Sequence, residues 1–320
     1  MPSHYGIGVG MLSPDARVYV AGHRGMVGSA IWRALEAQGF TDLVGYSSAE
    51  VDLRDPKAAM EAVASARPDV VVDAAARVGG IGANSTYPVE FIADNIRIQT
   101  NLFEAAHAAD VDRLLFLGSS CIYPRMAPQP IPESALLTGP LEATNDAYAI
   151  AKIAGIIGVQ AHRREYGRRW ISAMPTNLYG PGDNFDLESA HVLPALIRRF
   201  HEAAQSGAAS VTLWGTGSPR REFLHVDDLA AACLRLLDVY DEPEHINVGT
   251  GSDVTIAELA ALVADVVGFE GRIDWDPGKP DGTPRKLLEI SRIRALGWEP
   301  KIGLRAGLEA TYADYRAQQP

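Results

Sequence analysis

Short, strongly apolar runs alternate with longer amphipathic ones through the first half of the chain. "RVYVAG" (17–22), "DLVGY" (42–46), "DVVVDAAA" (69–76), "RLLFLGSS" (113–120) and "WISAMPTN" (170–177) read as strands. They are near-continuous in apolar residues rather than alternating, as in a parallel sheet covered on both faces. Between them the pattern predicts helices over 25–39, 55–68, 88–109 and 146–167. The first carries Val27, Ile31, Ala34 and Leu35 on one face and stops at Gly39; the second is bounded by Asp-Pro and Pro. Repeated strand–helix–strand units with short connections imply an α/β fold with a doubly wound parallel sheet.

After residue 178 the rhythm changes. "LYGPGDNFDLESAH" (178–191) is rich in Gly, Pro, Asp and Asn and reads as a long functional loop. "VTLWG" (211–215), "HVDDLAAACLRLLDVY" (225–240), "HINVGTG" (245–251), "TIAELAALVADVV" (255–267) and "RIDWD" (272–276) follow as short strands and helices. The expected organisation is a loose tail over 1–16, a first domain over 17–178 with a later return around 224–248, and a smaller, discontinuous α/β lobe over 179–320. Neither a fixed-period repeat nor a low-complexity linker interrupts it.

The bulk properties narrow the partners. The chain has 320 residues, 47% hydrophobic and 22% charged, with a formal charge of −11. An acidic protein is a poor ligand for nucleic acid or an anionic membrane surface, so neither is expected, and any anionic ligand must be held by local cations. Cys121 and Cys233 are far apart and have no metal-type spacing, which argues against a disulfide framework and a structural zinc site and makes a reducing cytoplasm the simplest compartment. No apolar run approaches the roughly 20 residues of a membrane span, and the first 16 residues lack the pattern of a secretory leader. The Asn84-Ser85-Thr86 sequon is accidental in that setting.

The first strand runs into "GHRGMVG", which places Gly22, Gly25 and Gly28 between a strand and a helix. Glycines there let backbone approach a pyrophosphate, and the helix N-terminus offers it free N–H groups. The spacing resembles that of extended short-chain dehydrogenase/reductases, whose fold is Rossmann-type. At the end of the second strand stand Tyr46, Ser47 and Ser48, with neither the acid that favours NAD nor a second arginine. Arg24 is the nearby cation, so NADP(H) is expected, with Ser47 and Ser48 as donors to its 2′-phosphate and Asp52 and Leu53 beside the adenine.

Tyr148 and Lys152 are four apart on one helix face, and Ser119 lies at a strand end upstream. Together they match the Ser/Tyr/Lys set of that superfamily. Tyr148 exchanges a proton with a carbonyl or carbinol oxygen, and Ser119 hydrogen-bonds the same oxygen. Lys152 is expected to lower the Tyr148 pKa and to hold the nicotinamide ribose.

A narrower resemblance rests on "GSSCIYP", "YAIAKIAG", "MPTNLYGP", "SAHVLPALIRRF", "REFLHVDDLA", "HINVGTG" and "KPDGTPRKLL". From Arg17 to the C-terminus the chain resembles the GDP-L-fucose synthase family, the GDP-4-keto-6-deoxy-D-mannose 3,5-epimerase-4-reductases. The resemblance implies epimerisation of GDP-4-keto-6-deoxy-D-mannose at C3 and C5, then NADPH-dependent reduction at C4 to GDP-L-fucose. It implies Cys121 as base and His191 as acid. A thiol and an imidazole bracket neutral pH, so either can exchange a proton cheaply. Ser119 and Cys121, two apart in what reads as an extended segment, are expected on one side. The implied cofactor contacts are Gly22, His23, Arg24, Gly25, Met26, Val27, Gly28, Ser48, Asp52, Leu53, Leu117, Gly118, Ser119, Ser120, Tyr148, Lys152, Pro175, Thr176, Asn177, Leu178 and His191. The implied contacts to the GDP-sugar are Arg199, Trp214, Arg221, Asp281 and Lys286, with Asn84 and Lys279 as lesser ones. A homodimer through the helix carrying Tyr148 is implied as well.

Blander roles fit the remaining candidates. Cys233 reads as packing, His107, His162, His201, His225 and His245 as structural or solvated, and one of Arg198 and Arg199 as a solvated helix charge. The alternative reading is another sugar-nucleotide epimerase or a 4,6-dehydratase. A dehydratase would place acid/base carboxylates beside Ser119, where "SSCIYP" offers a thiol.

Overall fold

The computed structural model describes residues 12–279 and 281–319. In chain order the first elements are β1 (Val18–Ala21), α1 (Met26–Ala37), β2 (Leu43–Val44), α2 (Pro56–Ala66), β3 (Val70–Asp73), α3 (Ile81–Thr86), α4 (Pro88–Ala108), β4 (Arg113–Leu117), α5 (Asp146–Tyr166) and β5 (Ile171–Pro175). Then come β6 (Asn177–Tyr179), α6 (Val192–Ser206), β7 (Ser210–Trp214), β8 (Arg220–Arg221), β9 (Phe223–His225), α7 (Val226–Val239) and β10 (Ile246–Val248). The last are β11 (Val254–Thr255), α8 (Ile256–Val267), β12 (Arg272–Asp276), β13 (Arg285–Lys286), α9 (Ser291–Ala295) and α10 (Leu304–Ala317).

Six strands form one sheet in the order β10-β5-β4-β3-β1-β2, and every pairing in it is parallel. Strands β1, β3, β4 and β5 are buried at every position, which is why their sequences lack a polar face. Helices α1 and α7 pack together, as do α2 with α4 and α4 with α5. Strand order reverses between β1 and β3, so a crevice opens above the C-terminal end of β1, where ligands of such sheets bind.

Local chemistry sets the helix ends. Asp55 accepts from the N–H groups of Lys57 and Ala58 at the start of α2, with Pro56 at its first position. Thr255 and Glu258 form a reciprocal capping box on α8. Arg113, 3% exposed in the middle of the protein, donates to the carbonyls of Leu236, Leu237 and Tyr240. It thereby satisfies the C-terminal end of α7. Burial pushes its guanidinium down to about 10.

A second core joins Leu193, Leu196, Ile197 and Phe200 of α6 to Leu259 and Val263 of α8 and to Leu308 of α10. Three small strands, β11-β8-β13, lie beside it. Of the tail expected over 1–16, residues 1–11 lie outside the described residues. Leu12 and Ala16 pack against the first core, and the Leu12 N–H reaches Asp238 at 3.5 Å.

Candidate active site

The glycine loop fits a dinucleotide. Gly22 has φ +79°, and a Cβ there would fall 2.8 Å from the Ala74 carbonyl oxygen. A Cβ on Gly28 would fall 2.1 Å from the Gly22 carbonyl oxygen, so α1 can begin this close to the loop only without a side chain. Gly25 caps α1 with no side chain bonded to the helix N–H groups, which leaves them pointing into the crevice, as a diphosphate requires.

The outer end of this site differs from expectation. Ser47 was expected to donate to a 2′-phosphate. Instead, its N–H and hydroxyl both donate to Glu50, at 2.8 and 2.6 Å. The turn after β2 folds back on itself, so an acid absent from the strand tip arrives from three residues downstream. Arg24 is exposed and its charge, with that of His23, acts on Glu50 to hold the carboxyl below its ordinary value, after the Ser47 hydrogen bonds. Asp52 receives the Arg54 guanidinium in a fork, at 2.9 and 2.8 Å. Leu53 packs against the first core.

At the end of β4 the chain does not stay extended. Residues Ser120–Ile122 form one turn of 3₁₀ helix, and the Ser119 hydroxyl accepts from the Cys121 N–H at 3.3 Å. Ser119 and Cys121 nevertheless both meet Tyr148. Ser119 hydrogen-bonds the phenol, and Cys121 acts on it electrostatically. The turn, not strand alternation, brings them to the same side.

Tyr148 is 9% exposed and Lys152 4%. The expected lowering of the Tyr148 pKa by Lys152 is not found. Burial holds the phenol well above its ordinary value, the Cys121 charge adds to this, and the Ser119 hydrogen bond opposes it. The Lys152 ammonium turns to the Leu117 carbonyl at 2.8 Å, lies 4.9 Å from the centre of the Phe116 ring and stands 6.0 Å from that of Tyr148. Burial pushes it down to about 8, opposed by Asp73.

The Cys121 sulfur is approached by two donors: the Asn145 amide at 3.3 Å and the Lys286 ammonium at 3.7 Å. Lys286 aligns with Arg221 across β13 and β8, so the two side chains leave the small sheet on one face, and Arg221 also feels the Cys121 charge. Glu222, fully buried, anchors this corner by accepting from the N–H groups of Thr250, Gly251 and Leu288 at 2.6, 2.7 and 3.0 Å. His191 caps the N-terminal end of α6. His191 is exposed, yet crowding by surrounding protein, then the Lys286 cation, hold its imidazole below its ordinary value.

The remaining candidates occupy the periphery. Pro175 ends β5, and the Thr176 N–H donates to the Val248 carbonyl at 3.0 Å. The Asn177 amide donates to the Glu222 carbonyl at 2.8 Å, beside Leu178 on β6. Asn84 donates to the carbonyls of Gly79 and Gly80, next to the Ser189–Ala190 segment. Trp214 is 63% exposed, with the Lys279 ammonium 5.5 Å from its ring centre. Asp281 accepts from the Thr216 N–H and hydroxyl at 2.7 and 2.8 Å and so shapes the turn after Trp214. Arg198 pairs with Glu202 at 2.7 Å, whereas Arg199 makes no ion pair among the described residues. Sequence reasoning missed Asn145. An asparagine before α5 reads as an ordinary helix cap, and only the structure shows that its side chain makes no bond to the helix N–H groups and turns to the Cys121 sulfur instead.

A parallel sheet with a glycine-lined crevice and a Ser/Tyr/Lys set defines a nucleotide-dependent enzyme class, and the chain belongs to the NAD dependent epimerase/dehydratase family, whose sequence model matches residues 18–249. Within that family it groups with GDP-L-fucose synthases. It is 60% identical over 305 residues to GDP-L-fucose synthase 1 of Arabidopsis thaliana, covering 95% of this chain and 94% of that protein. It is 55% identical over 305 residues to GDP-L-fucose synthase of Escherichia coli (strain K12), covering 92% and 95%. Among solved structures, a GDP-L-fucose synthetase from Naegleria fowleri bound to NADP superposes with a TM-score of 0.87 at 26% identity, covering 96% of this chain and 95% of that one.

Proposed function

We propose that this protein is an NADPH-dependent epimerase-reductase that makes GDP-L-fucose from GDP-4-keto-6-deoxy-D-mannose. The observation that carries the reading is the meeting of Ser119, Tyr148, Cys121 and Lys286 in one cleft, in a chain so similar to GDP-L-fucose synthases along its length.

The C4 ketone acidifies the protons on C3 and C5. Ser119 and Tyr148 hydrogen-bond its oxygen and stabilise the enolate formed when either proton leaves. Cys121 takes the proton, and His191 returns one to the opposite face of the carbon, which inverts each centre. The bound cofactor supplies hydride to C4. Tyr148, kept neutral by burial, gives its hydroxyl proton to the C4 oxygen as the carbinol forms. Gly22, Gly25 and Gly28 admit the diphosphate of NADPH, Arg24 faces its 2′-phosphate, and Lys152 holds the nicotinamide ribose. Arg221 and Lys286 provide the local positive charge that the diphosphate of the GDP-sugar needs in a protein of net charge −11. Arg199 and Trp214 complete its contacts.

The sheet with β10 forms the cofactor lobe, and the second core with the small sheet forms the substrate lobe. The active species is a homodimer through α4 and α5. A groove of about 390 Å³ runs between those helices, lined by Ile96, Phe103, His107, Gly158 and Tyr166, and Ile150 and Ile157 lie exposed on α5. The free thiols of Cys121 and Cys233 suit a reducing cytoplasm. No described helix is long and apolar enough to cross a membrane.

The deciding experiment is NADPH oxidation with GDP-4-keto-6-deoxy-D-mannose, with the product identified by NMR. Loss of absorbance with formation of GDP-L-fucose is expected. Absence of oxidation rules the reading out.

A further inference from the structure

We propose that Asp73 is the buried counter-ion of Lys152 and a positioning residue for the reduction, keeping the ammonium charged where it meets the cofactor. The inference rests on the reading that Lys152 holds the nicotinamide ribose.

Asp73 is the one polar residue in β3, "VVVD". In the parallel ladder it aligns with Ala21 of β1 and Phe116 of β4, and aligned residues project to the same face of a sheet. The Phe116 ring marks which face. It packs edge-on to Phe103 of α4, 5.6 Å between centres. It also abuts Gly155 of α5, where a Cβ would fall 2.2 Å from its tip. Lys152 descends from α5 to the same ring, its ammonium 4.9 Å from the centre. Carboxylate and ammonium therefore share one dry layer between the sheet and α5.

Among the described residues, neither group has another charge to answer it. Asp73 is 1% exposed. One oxygen accepts from the Ala75 N–H at 3.3 Å and the other, buried, has no partner. The neighbours of Lys152 are otherwise neutral: the Leu117 carbonyl and Phe116 ring of β4, the Tyr148 phenol on its own helix, and the Gln99 amide of α4, which donates to the Ala151 carbonyl. Tyr19 of β1 faces Asp73 and is held well above its ordinary value, first by burial and then by that carboxylate, so it stays neutral. The two charges form no direct ion pair and act across the layer. Burial pushes Asp73 up to about 6 and Lys152 down to about 8, and each opposes the shift of the other. Both are charged in the window between, which includes neutral pH. An isolated carboxylate at the end of an apolar strand is costly, and nothing else in the layer explains it.

The test measures NADPH affinity by fluorescence from pH 6 to 9, without sugar. In the wild type, affinity falls as pH rises through about 8, where Lys152 loses its proton. In Asp73→Asn the fall moves about one pH unit lower, because the ammonium has lost its counter-charge. An unmoved alkaline limb overturns the inference, whereas a wild type that does not bind NADPH at any pH overturns the proposed function instead. A thermal-unfolding cycle of Asp73→Leu, Lys152→Met and the double variant decides the inference without cofactor. The double variant should be more stable than either single one. Additive losses overturn the inference even if Asp73→Asn does not fold.

Discussion

The Lys286 ammonium lies 3.7 Å from the Cys121 sulfur and also acts on His191. One cation therefore stands beside both members of the proposed proton-transfer pair, and at His191 it adds to burial in holding the imidazole below its ordinary value. Its position follows from the pairing of β13 with β8 and from the Glu222 carboxylate, which grips the Leu288 N–H two residues on.

Cys121→Ser and Lys286→Met should both slow solvent deuterium entry at C3 and C5, each by about 10²-fold or more. Cys121→Ser should leave NADPH binding intact, since the thiol is proposed to act on the sugar and not on the cofactor. Exchange measured by NMR in the absence of NADPH separates this chemistry from reduction. Unchanged exchange in Cys121→Ser would remove the thiol from the mechanism.

Tyr148→Phe deletes the proposed proton donor for the C4 oxygen while retaining the buried ring against Phe91. NADPH oxidation should fall about 10²–10⁴-fold, with deuterium exchange reduced less, because Ser119 would still be placed to hydrogen-bond the oxygen. Equal losses in both assays would show that Tyr148 acts mainly on the enolate.

Glu50 occupies the Ser47 donors and opposes Arg24. Replacing it by Gln should shift binding toward NADP⁺ over NAD⁺ by about 2- to 5-fold, and less at high salt because the site is exposed. Calorimetric titration of both cofactors checks this, and an unchanged ratio would leave Glu50 as a turn residue only.

His245 is buried and hydrogen-bonded to Tyr123 at 3.0 Å. Burial, then the Arg292 cation, push it down to about 4. Above the ordinary value near 6.5 both folded and unfolded chains carry it neutral, so it contributes no pH dependence. As pH falls below 6.5 the unfolded chain takes up a proton that the folded one refuses until about pH 4. Stability should drop by about 2 kcal/mol between pH 6.5 and 5 from this residue. Urea unfolding of wild type and His245→Gln at both values measures it, and equal pH dependence in the two proteins would contradict the assignment.

Arg113→Met should cost about 3–5 kcal/mol in urea unfolding, since it strands several buried carbonyls at the end of α7. A loss under 1 kcal/mol would mean that those carbonyls find other partners.

Much of the cofactor side was legible in the chain. Apolar runs long enough to be buried strands announced β1, β3, β4 and β5, and Gly22, Gly25 and Gly28 stood between a strand and a helix, the context of a nucleotide-binding loop. The Tyr148–Lys152 spacing placed both on one face of α5. Less visible were β8, β11 and β13, two residues each, because a pair of residues has no periodicity to detect. The 3₁₀ turn at Cys121 was hidden for a related reason, since a Ser-Ser-Cys run fits an extended or a turned backbone equally well.

Residue types, their spacing and helical periodicity are local properties, and they were enough to expect the parallel strands, the glycine turn between β1 and α1, and Tyr148 and Lys152 on one helix. Which charge faces which is a property of packing. The approach of Asn145 and Lys286 to one sulfur spans 24 and 165 residues of sequence, and the shared layer of Asp73 and Lys152 depends on strand register. The retreat of Ser47 to Glu50 depends on how a turn closes. Coulomb interactions and desolvation depend on distances through space, so the electrostatics of this site was decided only when the chain folded.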